Sequence, residues 1–381
     1  MSQTYEKKRE CLLQNSHLSL SVMNYHAKFN TMTIKSILVI RFRQMGDAVL
    51  STPLLNTLRK NFPEAQIDFV LNSNIAPLFE GHNAISNIIT FNEEERYKKW
   101  NYIRKIWKIV NETHYDVIID MRSTINTLPF TLFSPFSKFR IGLKKGYTRP
   151  FFNYSFPKQC LIGENMVEHN LKLASPLHIS NITHRLSLPI TQEEITSFKQ
   201  KMYRQGIDFT RPIMLAGVTA KLDNKTWPYK YIIETILMIL NKWPTLQIVF
   251  NYAPGKEEKK AKYIYEQLGK PKNIFINIQA LNMRQLAAMA ANCSFYFGNE
   301  GGTRHIVQAM GLSSFVICSP NESKEIWLPQ EKGLLTCGIE ARDIQQYDDH
   351  LSLEEKYELI TPKRVWIDLD KFITTLLSTK K

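Results

Sequence analysis

The chain has 381 residues, enough for two domains of ordinary size, and its 44% hydrophobic and 22% charged residues suit a packed globular protein. No stretch approaches the roughly 18 apolar residues that a membrane-crossing helix needs. The formal charge of +14 implies a polyanionic neighbour; without a helix-turn-helix, zinc-finger or RNA-binding signature, nucleic acid ranks behind an anionic membrane face and phosphorylated small molecules.

Residues 1–31 lack a continuous apolar core and a clear cleavage site, so they do not read as a signal peptide. Met32, opening MTIKSILVIRF, looks like a natural start, which makes residues 1–31 a disordered extension or a misassigned start. Apolar runs then alternate with helical patterns. Strands are predicted at 36–42, 67–71, 88–91 and 117–120, with a helix in LLNTLRKNF between the first two. Residues 95–110, ERYKKWNYIRKIWKIV, form a basic amphipathic helix with Ile103, Ile106, Trp107 and Val110 at helical spacing; it packs on the sheet or lies on a membrane surface. After a polar connector, FKQKMYRQGIDFTRP, a second series places strands at 213–217, 247–250, 274–276, 294–297 and 315–317, and helices at 230–240, 256–268 and 283–291. This alternation predicts an α/β protein with parallel sheets and right-handed crossovers, arranged as two doubly wound domains facing across a cleft. WIDLDKFITTLLSTKK closes the chain as a helix with Leu369, Phe372, Ile373 and Leu376 apolar. The five cysteines, Cys11, Cys160, Cys293, Cys318 and Cys337, show no metal or redox spacing and suit a reducing cytoplasm; Cys293 and Cys318 lie beside apolar runs and belong in the core.

Four stretches carry chemistry. RQMGDAVLSTP (43–53) leads out of the first strand, a turn that in α/β proteins usually faces a ligand. It holds a single glycine, Gly46, and then a carboxylate, Asp47. Asp47 either caps the helix or projects into the cleft as a general base, and Thr52-Pro53 offers a rival helix start. In LDNKTWP (222–228), Lys225 either offsets charge on a leaving diphosphate or is a surface lysine beside a packed Trp227. FGNEGGTRHIVQAMG (297–311) runs strand, Gly-rich turn, helix. Gly301 and Gly302 let a ligand approach the backbone, the helix start near Thr303 offers free N–H groups to an anion, and His305 in its first turn reaches a phosphate. The structural alternative is a turn capped by Glu300 with His305 in the core. No GxGxxG is present, which disfavours a nicotinamide enzyme. In NYAPGKEEKKA (251–261), Glu257 or Glu258 follows the Pro254-Gly255 turn, where an acid favours the helix dipole or accepts bonds from ribose hydroxyls.

ILVIRFRQMGDAVLSTPLLNTLRKNFPEAQIDFV, YDVIIDMR, KTWP and GNEGGTRHIVQAMG, in that order across about residues 34–330, resemble glycosyltransferase family nine, the lipopolysaccharide heptosyltransferases of Gram-negative bacteria. The resemblance implies a GT-B fold of two Rossmann-like domains. An acceptor-binding domain is expected at 32–200 and a nucleotide-sugar-binding domain at 205–350, with a C-terminal segment at 351–381 whose helix packs back on the N-terminal domain. It also implies an inverting, metal-independent transfer from ADP-heptose to an inner-core sugar on lipid A, with no cofactor beyond the donor substrate. Asp47 matches the family's catalytic aspartate, Lys225 its donor-phosphate lysine, Glu257 (or, one register on, Glu258) its donor-side glutamate, and His305 its donor-loop histidine. Glu300, Gly301, Gly302 and Thr303 complete that loop. The family's usual Asp-Thr-Gly is replaced here by Glu300-Gly301-Gly302, and Arg304 stands where an apolar residue is usual, adding a charge near the diphosphate; both put the donor's identity in question. A lipid A core bears phosphates and carboxylates, so Arg43, Arg122, Arg140, Lys144 and Arg149, in or near loops of the first domain, are expected acceptor contacts. With the +14 balance they imply a cytoplasmic enzyme in peripheral contact with the anionic inner membrane. Two rival readings are a GT-B transferase using another nucleotide sugar for a surface glycan, and a nucleotide-sugar-binding protein without turnover.

Overall fold

Two six-stranded sheets form the framework of the computed structural model, which describes residues 33–378. The expected extension at 1–31, Cys11 and residues 379–381 lie outside the described residues. The first series runs β1 (Ser36–Ile40), α1 (Met45–Val49), α2 (Thr52–Asn61), β2 (Gln66–Asn72), β3 (Asn87–Phe91), α3 (Glu93–Tyr97), α4 (Lys99–Thr113), β4 (Val117–Asp120), α5 (Leu128–Leu132), β5 (Phe139–Leu143), β6 (Tyr154–Phe156) and α6 (Met166–Lys172). Helix α7 (Gln192–Arg204) leads into β7 (Ile213–Gly217), α8 (Tyr229–Lys242), β8 (Gln247–Phe250), α9 (Lys256–Gln267), β9 (Ile274–Phe275), α10 (Met283–Ala291) and β10 (Phe295–Asn299). The chain ends with α11 (Gly302–Ala309), β11 (Ser314–Ile317), α12 (Lys324–Trp327), β12 (Thr336–Ile339), α13 (Leu353–Leu359) and α14 (Pro362–Ser378).

The strand orders are β3-β2-β1-β4-β5-β6 and β9-β8-β7-β10-β11-β12, the same doubly wound order twice, with parallel pairing throughout. Helices cover both faces of such a sheet, so its strands read as unbroken apolar runs. SILVI in β1 and IMLAG in β7 are buried at every position. In each sheet the winding direction reverses beside the first strand, between β1 and β4 and between β7 and β10, and a crevice opens there at the strand ends. The stretches around Asp47, Lys225 and His305 leave β1, β7 and β10, and that around Glu257 leaves β8.

Four expectations change. Strands β5, β6 and β12 were not foreseen: they are three to five residues long, and β5 carries Arg140 among four buried positions. The polar connector is helix in its first half, since its FKQKMYR forms the second half of α7, where Phe198 and Met202 join Ile213, Leu215 and Tyr296 in one buried cluster. Leu173, Leu177 and Leu186 still belong to the first core, so the crossing falls near residue 190 rather than at 200–205. The terminal helix, expected to pack back on the N-terminal domain, buries its apolar face in the second domain instead. Val365, Leu369, Phe372 and Ile373 of α14 are buried in the second core. The Phe372 ring lies 5.9 Å from that of Phe295 and 5.8 Å from that of Phe315, covering an aromatic sheet face that would otherwise meet water.

Helix 95–110 also differs in detail. It breaks at Lys98 into α3 and α4, and α3 is closed by a reciprocal capping box between Asn92 and Glu95. Tyr102, Ile106 and Val110 of α4 pack on the sheet, whereas Trp107 falls outside that stripe and is 55% exposed.

Candidate active site

Pro53 in the first turn of α2 forces a new helix start, so α1 stands alone as a five-residue helix carrying Asp47. Ser51, one residue before the expected cap, occupies the junction, and its Oγ donates to the Ala48 carbonyl. The Asp47 side chain does not cap a helix; its Oδ1 accepts from Arg41 Nη2 at 2.8 Å, leaving Oδ2 outside that pair. Arg41 is itself buried and fixed by donation to the Met121 carbonyl at 3.1 Å.

The lone glycine of this turn is explained by the other domain. A Cβ on Gly46 would lie 2.7 Å from His305 Cδ2 and 3.3 Å from the Gly302 Cα. A Cβ on Gly302 would in turn lie 2.7 Å from the end of Met45. Two glycines on opposite domains therefore let the first turn of α11 come directly against α1. Gly301 has no such need: its backbone is extended and nothing lies within 4 Å of its Cβ direction.

Asp47, Lys225, Glu257, Glu300, Gly301, Gly302, Thr303 and His305 all line one inter-domain cleft of about 720 Å³. Asn299 ties its floor together, accepting the Trp227 N–H at 2.8 Å and donating to the Gly217 carbonyl at 3.0 Å, which holds the KTWP loop against the donor loop. Trp227 is core, with its indole N–H on the Ile360 carbonyl. Lys225 Nζ sits between Glu300 Oε2 (3.1 Å) and Glu322 Oε1 (2.9 Å). Burial opposes its charge, but the two carboxylates outweigh burial and raise its proton affinity. Glu257, not Glu258, faces the cleft: its Oε2 accepts from Thr219 Oγ1 at 2.8 Å, while Glu258 pairs with Lys262. Glu322 is a cleft residue that the sequence reading missed. Arg304 corrects an expectation, since it is fully buried and turned away from the cleft onto Gln308, His305 Nδ1 and the Trp327 carbonyl. Burial holds His305 well below its ordinary value, and the Arg304 and Lys225 charges add to this, so the ring is neutral.

Asp47 and Trp327 also line a second cavity of about 260 Å³ in the first domain, with Arg41, Arg122, Lys145, Lys158 and His169. Asp120 shapes the turn that presents Arg122, accepting the Arg122 and Ser123 N–H groups at 2.9 and 2.7 Å. Burial, with Arg41 and Arg43 beside it, holds the Arg122 guanidinium below its ordinary value, the mark of crowded cations. Arg43 is exposed, on a left-handed backbone (φ 88°), and does not line this cavity. Arg140 and Lys144 do not reach this cavity. The Arg140 guanidinium donates to the Phe151, Pro135 and Ser137 carbonyls, and Lys144 points to solvent while the next residue, Lys145, turns inward to the Arg122 and Ser123 carbonyls. Arg149 is exposed. Among the described residues, Cys160, Glu164 and His169 bring ligand-type atoms within 4.8 Å of one another, but Lys172 already pairs with Glu164 and neutralises it.

The sequence matches glycosyltransferase family 9 (heptosyltransferase) over residues 103–320, more than half of its length. The chain belongs to glycosyltransferase family 9. As a glycosyltransferase of this family it is 20% identical over 275 residues to lipopolysaccharide heptosyltransferase 3 of Escherichia coli, covering 70% of this chain and 78% of that one. The family 9 crystal structure from Veillonella parvula superposes with a TM-score of 0.75 at 17% identity, covering 92% of this chain and 99% of that one. The E. coli ADP-heptose lipopolysaccharide heptosyltransferase II superposes with a TM-score of 0.69 at 19% identity, covering 91% and 100%. This family 9 enzyme thus has the GT-B fold. The family match takes in Lys225, Glu257 and the donor loop and leaves the Asp47 turn outside it.

Proposed function

We propose that this enzyme transfers heptose from ADP-heptose to an inner-core sugar of a lipid A-linked acceptor, by single displacement with inversion and without a metal. The observation that carries the reading is the position of Asp47 at the junction of two cavities, one lined by every donor-side residue and the other by four cations. A sugar bearing phosphate or carboxylate suits the second cavity, where Arg41, Arg122, Lys145 and Lys158 surround a single half-buried carboxylate, Asp47. Its hydroxyl gives its proton to Asp47 as the new bond to the anomeric carbon forms. The bond from that carbon to the diphosphate breaks, and the diphosphate leaves with the electron pair. Lys225, His305 and the free N–H groups at the start of α11 offset its growing charge. Glu257 beside Thr219 is placed to accept from ribose hydroxyls. The names of the E. coli relatives, which give ADP-heptose and lipopolysaccharide, support this donor and acceptor class.

A second donor has one observation in its favour. The Glu300–Lys225–Glu322 cluster leaves two carboxylates on one ammonium where the diphosphate is to bind, and Glu300 replaces the shorter aspartate usual in the family. A panel of ADP-, UDP-, GDP- and CMP-linked sugars, offered with a truncated lipid A–core glycolipid and read by mass spectrometry, separates the two. Addition of one heptose from ADP-heptose alone is the expected result; transfer from another donor only, or binding without transfer, overturns it.

Docking at an anionic membrane face is part of the same proposal. On the outer face of α4, Trp100 (87% exposed) and Trp107 alternate with Arg104 and Lys108, an aromatic and basic stripe of the kind that settles at a lipid interface. No helix among the described residues is long and apolar enough to cross a membrane.

A further inference from the structure

Arg304 is a fully buried guanidinium with no carboxylate bonded to it. Its Nη1 donates to Gln308 Oε1 at 2.5 Å, and Gln308 is oriented by donating its own amide to the Pro329 carbonyl at 2.9 Å. Nη2 reaches the Trp327 carbonyl and lies 2.6 Å from His305 Nδ1. Burial brings Arg304 down only to about 10, so it is a cation at neutral pH. A guanidinium carries donors and no acceptor. Nδ1 of His305 is therefore the acceptor of that bond, and the ring proton sits on Nε2. A doubly protonated ring would set N–H against N–H inside the protein. The Cδ2–Nε2 edge is the one that faces the other domain, since the Cβ direction of Gly46 passes 2.7 Å from Cδ2 and 3.4 Å from Nε2.

We propose that Arg304 is a positioning residue that locks His305 as its neutral Nε2–H tautomer, so that the donor loop presents a fixed hydrogen-bond donor to the leaving diphosphate. The lock rests on the donor site assigned above. It belongs to this chain's own sequence, because Arg304 occupies a position read as usually apolar in the family. Other charged groups around the ring are Lys225 and Glu300 from the neighbouring loops, Glu322 beyond Lys225, and Asp47 next to Gly46 across the cleft. The two cations reinforce the neutral ring. Without the Arg304 donor the buried ring would still be neutral, but its proton could sit on either nitrogen, and the diphosphate would meet an Nε2–H on only part of the molecules.

The lock is tested by nitrogen-15 NMR of the imidazoles of the full chain, with His305 assigned by its loss in His305→Asn. The Nε2–H tautomer without titration between about pH 5.5 and 8 is expected; an Nδ1–H ring, or titration in that range, overturns the proposal. Calorimetry of ADP binding gives the second readout. Arg304→Met is expected to weaken ADP binding and to leave His305 as a mixture of tautomers in the same NMR spectra, and Arg304→Lys, which keeps a buried cationic donor, to retain the Nε2–H ring and near wild-type affinity. A ring that stays wholly Nε2–H in Arg304→Met would show a merely structural arginine and overturn the lock. The tautomer is read without nucleotide, so a locked ring in a protein that does not bind ADP counts against the donor site and not against the role of Arg304.

Discussion

Gly46 has no left-handed backbone to account for it; its role is to make room. A methyl group there would press on an imidazole that Arg304 holds from behind, so α1 and α11 would have to move apart. Gly46→Ala is expected to lower kcat about 10²-fold, the cost of an ångström-scale misplacement at a reacting centre, with little change in the thermal midpoint. Steady-state kinetics beside a melting curve checks this, and wild-type kcat would contradict it. That the proposed donor-side residues share one cleft was legible in the sequence, because each sits in a loop that follows an apolar run, where side chains face the strand ends. The cations of the second cavity were not. Arg41 is hidden at the end of the β1 run, Lys145 and Lys144 differ only in the direction each side chain takes, and Arg140 is held by carbonyls distributed over seventeen residues of loop and strand.

Elements follow the same division. Strands buried on both faces, such as 117–120, 213–217 and 247–250, are legible to the residue because apolar side chains dominate them, with polar Asp120 and Gln247 only at strand ends. Helix α7 was not, since it buries only Phe198 and Met202 and is mostly polar elsewhere. Its Glu194 joins a clamp between the domains: Arg284 of α10 pairs with Glu194 at 2.6 Å and also donates to the Pro77 and Glu80 carbonyls of the first domain. The Arg284 bond, against opposing burial, draws Glu194 down to about 2. A carboxyl lowered in the folded state stabilises above its unfolded value of about 4.3 and loses that contribution as pH falls toward the folded value. The urea midpoint of Glu194→Gln is therefore expected below that of wild type at neutral pH, with the gap closing between about pH 4.3 and pH 2; a gap independent of pH would contradict the clamp. For α14, Leu369→Ala should cost about 2–5 kcal/mol in urea unfolding, because Leu369 is fully buried over the second sheet. A neutral substitution would place the helix elsewhere.

At the scale of the whole molecule, the alternation of strands and helices made two doubly wound domains legible, and the repeated strand order follows from it. The contact between Gly46 and His305 was not legible, since it joins residues of two domains across the cleft, which no local pattern encodes. The charge of +14 and the exposed Trp100 and Trp107 lead to a further expectation: co-sedimentation with anionic vesicles over neutral ones, lost when both tryptophans become serine. Equal binding to both lipids would contradict membrane docking. The central claim is that Asp47 takes the proton of the acceptor hydroxyl. Asp47→Asn, assayed for single-turnover transfer from ADP-heptose with ADP affinity measured alongside, is expected to lose about 10²–10⁴-fold in rate while ADP affinity holds. Transfer at a near wild-type rate would contradict it.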